Sequence, residues 1–145
     1  MQCLVVTVRP LRVEELAEVL AVNFDDAEGI PRLKLDWRWE EQEPAFLSAC
    51  SSLIAIVRAG GSQVVQFLHF SVKEFLTSSR LATVGGVVSN FHIDLVAAHM
   101  ILAQACLGVL LQIQDIAEGC TLKDHPLALY AAKHWVTHAR FGEML

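Results

Sequence analysis

The chain has 145 residues, of which 54% are hydrophobic and only 19% are charged. This length allows one ordinary domain or two small ones, and the apolar composition predicts helices buried on more than one side, or faces that a neighbour covers. The formal net charge of −5 and the lack of any Lys and Arg cluster argue against binding to nucleic acid or to an anionic membrane, because the counterion release that drives such binding is missing.

The cysteines and the N-terminal segment both point to the cytoplasm. Cys3, Cys50, Cys106 and Cys120 show no Cys-x-x-Cys spacing, and each lies in or beside an apolar segment. This pattern predicts buried free thiols in a reducing compartment, with a disulfide or a metal site as the alternatives. The segment "MQCLVVTVRP" has no basic stretch, and its apolar run is too short for a signal peptide.

The first predicted elements are a helix and an acidic loop. "RPLRVEELAEVLAV" has Glu14 and Glu15 in its early turns and an apolar side, which is the pattern of a helix. Residues 23–44 are acidic and lack a helical period. Within them "LKLDWRW" alternates as a short edge strand would, which places Trp37 and Trp39 on one face. We interpret the two rings as the cover of a small core, with a binding patch as the alternative.

A helix and a hairpin are predicted next. "AFLSACSSL" repeats apolar residues at steps of three and four, and "LIAIV", "RAGGS" and "VVQFLHF" are typical of two strands joined by a tight turn. Two helices followed by a hairpin form the element order of a winged helix. Its predicted recognition helix contains neither Lys nor Arg, so reading of DNA by that helix is close to excluded.

The second half of the chain is predicted to be helical. A helix over residues 71–79 is followed by a Gly-rich loop, by a long helix from about 90 to 113, and by a last helix that Asp124 would cap. The apolar run at 95–111 is short for a membrane span and contains two polar residues. We therefore predict a buried helix here and no contact with a membrane.

Histidine pairs on these helices are weak candidates for a metal site. His134 and His138 lie four residues apart, as zinc ligands on one helix face do, but the Glu of H-E-x-x-H and a third ligand are missing. We predict an exposed or interfacial pair, and we interpret His92 and His99 of the long helix in the same way. The sequence also lacks a P-loop and a G-x-S-x-G elbow, so no catalytic residue and no metal site are predicted.

The segment "FLHFSVKEFLTS" contains the most informative histidine, His69. Ser71 and Glu74 have the spacing of a capping box, and Phe70 and Phe75 have that of a hydrophobic staple, so a helix is predicted to begin at Ser71. His69 then lies at a strand-to-helix joint, which is suitable for an anion. The alternative is a histidine packed at the boundary of the core. A nucleophile–base pair with Ser71 is disfavoured, since no orienting carboxylate is evident.

Five segments in order resemble one protein family: "RPLRVEELAEVLAV", "LSACSSLIAIV", "VVQFLHFSVKEFLTS", "AHMILAQACLGVLL" and "PLALYAAKHWVTHARF". They resemble the region that follows the nucleotide-binding core in fungal NACHT proteins of the STAND class, which are signalling NTPases that often carry repeats. The resemblance covers nearly the whole chain. It implies a mainly α fold with a small β-hairpin wing: a winged-helix domain over residues 1–80, then a helical region over 81–145 that leads towards C-terminal repeats.

The segment "FLHFSVKEFL" is also similar to the F-x-H-x-S-x-Q-E-F pattern of animal NLR proteins, with Lys73 in place of Gln. The resemblance implies that His69 contacts a phosphate of ADP and helps to hold a closed, inactive state. It implies no cofactor for this chain in isolation and ADP or ATP in the parent protein. The implied partners are the NACHT core and the repeats, and the activated parent could form an oligomer.

We therefore interpret the chain as a regulatory module of a longer NACHT protein. The Walker motifs and the repeats of the family are absent from these 145 residues, so we expect a fragment that does not hydrolyse ATP alone. Two alternatives remain open at this stage. One is a purely structural connector in which His69 is buried, and the other is a small autonomous enzyme.

Overall fold

The computed structural model describes residues 1–25, 29–38, 42–50, 52–115 and 123–143. The fold is mainly helical with small antiparallel sheets, as predicted. The helices are α1 (Gln2–Val6), α2 (Val13–Leu20), α3 (Gln42–Cys50), α4 (Phe70–Leu76), α5 (Ser79–Thr83), α6 (Leu95–Asp115) and α7 (Ala128–Ala139). The strands are β1 (Leu11–Arg12), β2 (Val22–Asn23), β3 (Arg32–Leu33), β4 (Ile54–Ala59) and β5 (Ser62–Phe67).

The predicted hairpin is confirmed as the wing of a winged helix. β4 and β5 pair in antiparallel register and are joined by Gly60 and Gly61, whose φ angles are +57° and +82°. Positive φ at both central residues is the backbone of a type I′ turn, which glycine adopts without strain. A third strand was not predicted: β1 pairs with the outer edge of β5 through only two residues. So short a strand carries no alternation that a sequence pattern could reveal.

The edge strand predicted over "LKLDWRW" is wrong. The strand in this region is β3, which lies earlier and pairs with β2, while Leu35–Trp37 form a turn of 3₁₀ helix. The backbone amide of Lys34 donates to the carbonyl of Ala21 at 2.9 Å, and the chain turns immediately after this bond. Trp37 is half exposed, and Trp39 lies outside the described residues.

Two predicted helix starts also need correction. α2 begins at Val13, because the two preceding residues belong to the sheet. α7 begins at Ala128 with Leu127 as its N-cap, so the cap predicted at Asp124 is wrong. The amide of Leu127 instead donates to the carboxylate of Glu18, a distant residue on α2.

The long helix α6 forms the centre of the core. One side of it is fully buried against α7, α1 and β3, and this side consists of Ala98, Leu102, Ala105, Cys106 and Val109. By length and composition alone, the stretch Val87–Ile113 is also apolar enough to cross a membrane, a test that a soluble core helix passes too. His92 precedes the helix rather than lying on it, which corrects the predicted pairing of His92 with His99 along one helix.

One hydrophobic core extends over both halves of the chain. Its buried residues come from α1, α2 and the wing before residue 80, and from α6 and α7 after it. The predicted boundary at residue 80 therefore divides two parts that share one core. The assignment of residues 1–80 and 81–145 to separate domains stays a prediction.

The predicted free thiols are confirmed for Cys3, Cys50 and Cys106, whereas Cys120 lies outside the described residues. Cys3 and Cys106 are buried, as predicted, whereas Cys50 is only partly buried. Burial raises the pKa of both thiols, that of Cys106 to about 12, and so keeps them protonated and unreactive.

Gly108 marks the closest approach between α6 and the loop before β3. A Cβ atom at this position would lie 2.8 Å from the backbone carbonyl oxygen of Pro31, which is too close for contact. We expect Gly108→Ala to lower the free energy of unfolding by about 1–3 kcal/mol through overpacking, although Ala is the better helix former. Urea unfolding followed by circular dichroism measures this loss. An unchanged or raised stability would contradict the close contact.

Candidate functional site

His69 caps helix α4 at the end of strand β5. Its backbone is extended, and its Nδ1 atom accepts a hydrogen bond from the backbone amide of Ser71 at 3.2 Å. The prediction of Ser71 as the cap is therefore wrong. The helix begins one residue earlier, at Phe70, because the imidazole supplies the acceptor that an N-cap requires. Phe70 then does not precede the cap, so it lacks the position that the predicted staple with Phe75 requires.

This hydrogen bond decides which nitrogen of His69 carries the proton. A neutral imidazole has one donor and one acceptor nitrogen. Since Nδ1 accepts from the Ser71 amide, the neutral ring carries its proton on Nε2. The ring is exposed, and no described residue accepts a hydrogen bond from Nε2. His69 can therefore donate to an acceptor supplied by a ligand or a partner.

The same geometry disfavours Ser71 as a nucleophile. Its Oγ atom lies 2.7 Å from Nδ1 of His69, which is within reach of a general base. However, the backbone amide of Ser71 uses the same Nδ1 lone pair, and among the described residues no carboxylate contacts the ring to orient it. The arrangement is that of a helix cap with an exposed donor.

An exposed apolar surface adjoins His69. Leu68, Phe70 and Phe75 are 56%, 68% and 53% exposed, and we call these three residues the α4 surface. Large apolar side chains are also exposed in the segment that follows α4, namely Val84, Val87, Val88 and Phe91. Leu68 and Phe70 flank His69 directly in the chain, and large exposed apolar side chains beside a free donor favour a covering protein segment.

Two buried carboxylates on α2, those of Glu15 and Glu18, form ionic contacts. Glu15 accepts two hydrogen bonds from the guanidinium of Arg9, both at 2.7 Å, and one from the amide of Arg12 at 2.8 Å. Burial opposes ionisation of Glu15, but these hydrogen bonds outweigh it and lower the pKa of the carboxyl.

Glu18 links the winged helix to the last helix. Its Oε2 atom accepts from the amide of Leu127 at 2.7 Å, and its Oε1 atom pairs with the guanidinium of Arg38 and lies 3.3 Å from Nδ1 of His125. The sequence contained one indication of this role: Glu18 lies one helical turn after Glu15, between apolar residues. It could indicate a buried carboxylate but not its partner 109 residues away.

A second buried polar group joins α6 to α7. Nδ1 of His99 lies 2.8 Å from Nδ1 of His138, and Nε2 of His138 lies 2.9 Å from the hydroxyl of Tyr130. The hydroxyl of Tyr130 also accepts from the amide of Val8 at 3.2 Å. The prediction of an interfacial histidine is confirmed for His138, which is buried between the helices, whereas its predicted pairing with His134 is replaced by contacts to His99 and Tyr130.

Burial sets the protonation of this group. It lowers the pKa of His138 to about 4, with help from the neighbouring His99 and His134. It also raises the pKa of Tyr130 to about 12. Both side chains are therefore neutral at physiological pH. Among the described residues, no group of three His, Cys, Asp or Glu side chains is placed to hold a metal ion.

A small cleft lies between the end of α1, strand β5 and helix α4. Its volume is about 200 Å³, and its lining includes Leu4, Arg9, Phe67 and Lys73 but not His69. Sites for small-molecule ligands typically measure about 300–1,000 Å³. The cleft therefore adds little to the hypothesis of a small autonomous enzyme.

The helices, the wing and the third strand define this chain as a winged-helix protein with a helical extension. The sequence comparison agrees, since residues 1–94 match the family described as "GPI inositol-deacylase, winged helix domain". The match covers more than half of the chain. This chain belongs to that winged-helix family.

One curated relative is a fungal protein, the "Azaphilone pigments biosynthesis cluster protein L" of Monascus ruber. It is 31% identical to this chain over 137 residues, which cover 90% of the chain and 28% of the relative. The chain thus spans less than a third of the relative's length. No solved structure matches the chain.

Proposed function

We propose that this chain is a regulatory and interaction module of a fungal NACHT-type STAND signalling NTPase. In this proposal the winged helix packs on the nucleotide-binding core of the parent protein, and the helical region leads towards C-terminal repeats. Membership of the winged-helix family and the fungal origin of the relative support it, together with the five segments that resemble NACHT proteins. The exposed α4 surface supports packing against another domain.

His69 is the residue that would report the nucleotide state. The observation that carries this proposal is an exposed imidazole whose Nδ1 is engaged by the helix it caps, which leaves Nε2–H as a donor. Such a donor fits one oxygen of the β-phosphate of ADP, and a charge-assisted bond of this kind is stronger than a neutral one. Exposed Lys73 on the same helix adds positive charge. These residues fit a single phosphate contact, so the rest of the nucleotide site belongs to the core.

The mechanism is a population shift between a closed and an open arrangement. With ADP bound, the contact from His69 would stabilise the closed arrangement of winged helix and core. Nucleotide exchange would remove or move the phosphate that His69 contacts, and the winged helix would be released. The isolated chain performs no catalysis in this proposal, its parent resides in the cytoplasm, and the activated parent is free to oligomerise.

We expect His69→Ala, made in the longer parent protein, to weaken ADP retention. Loss of one hydrogen bond to a charged group corresponds to about 1.5–3 kcal/mol, or roughly a tenfold or greater rise in the ADP dissociation constant. Displacement of a fluorescent ADP analogue measures this change. His92→Ala is a matched control, because His92 is a half-buried histidine that lies away from the α4 cap.

Unchanged ADP retention in His69→Ala, with the protein still folded, would overturn the phosphate contact. The structural connector would then be the better interpretation. A specific observation favours that second candidate: the bond from Leu127 to Glu18 and the packing of α6 on α1 fix the helical region to the winged helix. The connector predicts that disrupting the α4 surface impairs signalling while ADP binding is unaffected.

A further inference from the structure

The contact between His99 and His138 depends on protonation. Their Nδ1 atoms are 2.8 Å apart, between α6 and α7. One of these nitrogens must donate and the other must accept, so the contact cannot persist when both rings are fully protonated. The two rings and Tyr130 form one chain of hydrogen bonds, which we call the histidine latch.

In the neutral latch every hydrogen bond can be made. The amide of Val8 donates to the hydroxyl oxygen of Tyr130, and the Tyr130 hydroxyl donates to Nε2 of His138. His138 then carries its proton on Nδ1 and donates to Nδ1 of His99. This assignment follows from the partners of each atom. It leaves no buried donor or acceptor of His138 without a partner.

The surroundings of the latch disfavour a positive charge. Lys73 of α4 lies close enough to His99 to lower the pKa of that ring further, after burial, and His134 does the same to His138. The guanidinium of Arg9 lies 5.1 Å from the ring centre of Tyr130, although Glu15 neutralises it. Other titratable and charged groups on or beside these helices are the buried thiol of Cys106, the exposed pair of Arg140 and Glu143, and the exposed Lys133 of α7. At the start of α7 the carboxylate of Glu18 accepts from the amide of Leu127 and lies beside His125.

Phe141 packs against the imidazole of His99 at one end of the latch. Its ring stacks on His99 with the two centres 3.8 Å apart. No described carboxylate contacts either imidazole, so a proton gained by the pair has no opposite charge to stabilise it.

We propose that the histidine latch makes the attachment of α7 acid-sensitive, so that protonation of the His99–His138 pair releases α7 from α6 before the winged helix unfolds. The hydrogen bonds of the wing lie between β1, β4 and β5, and none of them involves the latch. Released, α7 would expose the buried face of α6 and its own Tyr130. Acidification would thus open the helical region and leave the wing in place.

The sign of the effect follows from the depressed pKa of His138. The closed latch binds fewer protons than the open one between the ordinary histidine pKa of about 6.5 and its own pKa of about 4. The stabilisation is therefore fully present above about pH 6.5 and is lost as the pH falls through this range towards 4. The fraction of open latch is expected to rise about tenfold per pH unit for each proton taken up.

Fluorescence and NMR together test the proposal on the full chain. With Trp37 and Trp39 replaced by Phe, the half-buried Trp135 becomes a single reporter on α7. Between pH 6.5 and 4 we expect its emission to shift to longer wavelength and the α7 amides to lose protection from hydrogen exchange. The amide of Val65 in the wing should remain protected over the same range.

Two variants and one direct titration complete the test. His138→Gln removes the titrating ring and should abolish the acid step, whereas His92→Gln, outside the latch, should leave it unchanged. If His138→Gln does not fold, the pKa of His138 is measured directly from the imidazole NMR resonances of the unmodified chain, and this value tests the proposal. Titration of His138 near its ordinary pKa would overturn the proposal, and so would loss of Val65 protection at the same pH as α7.

Discussion

Glu18→Ala is expected to lower the free energy of unfolding by about 3 kcal/mol, because it removes one partner of a buried ionic group. The carboxylate is 1% exposed, accepts from the amide of Leu127 and pairs with Arg38. Without it the amide at the start of α7 is buried with no acceptor, and Arg38 loses its counter-charge. We place the loss at the low end of the usual range, since Arg38 is partly exposed and can turn towards water.

Chemical denaturation followed by circular dichroism measures this loss. Glu14→Ala is the matched control, because Glu14 is exposed on the same helix and its replacement should change stability by no more than about 0.5 kcal/mol. Glu18→Gln keeps one acceptor oxygen and should fall between the two. A loss below about 1 kcal/mol for Glu18→Ala would show that the link between α2 and α7 contributes little.

Residues 1–80 expressed alone are expected to lack a cooperative unfolding transition. The cut removes α6. The buried side of this helix includes Leu102 and Cys106 and lies against α1 and against the two-stranded sheet of β2 and β3. It also removes Leu127, the partner of Glu18. Without α6, the apolar face of residues 1–80 that this helix covers becomes exposed. A piece of about 80 residues then buries too little surface to offset the loss of conformational entropy on folding.

Light scattering and thermal unfolding compare this piece with the full chain. Addition of a separately expressed 81–145 piece should restore the transition in part, since the two share one core. The same mixture with Leu102→Ala in the second piece should recover less, while Met100→Ala on the exposed side should behave as the unmodified piece does. A monomeric 1–80 piece that unfolds cooperatively would instead show that the winged helix is independent of α6.

The two tests distinguish a rigid module from two loosely joined parts. Large effects in both tests would mean that the winged helix, α6 and α7 unfold as one cooperative unit. The proposed regulatory role requires such a unit, because a movement of the winged helix can then reach α7. A small effect of both would confine the proposed response to nucleotide to the winged helix.

Only some features of the candidate site residue His69 could be predicted from the sequence. Its position at a strand-to-helix joint could be predicted from the hairpin and from the helix pattern after it. Its capping role could not, because Ser71 fits the usual cap preference better than histidine does. The structure decided between the two through the bond from the Ser71 amide to Nδ1. This bond also determined that the free donor is Nε2.

The sequence by itself determined the local elements of this protein and their order. The Gly60–Gly61 turn between two apolar runs, the helical periods and the family resemblance all depend on residues that are close along the chain. Only the tertiary structure decided which polar groups meet. Glu18 and Leu127 are 109 residues apart, and His99 and His138 are 39 apart. No local pattern encodes such pairs, because their contact depends on how buried faces pack, and burial then sets the protonation of the imidazoles.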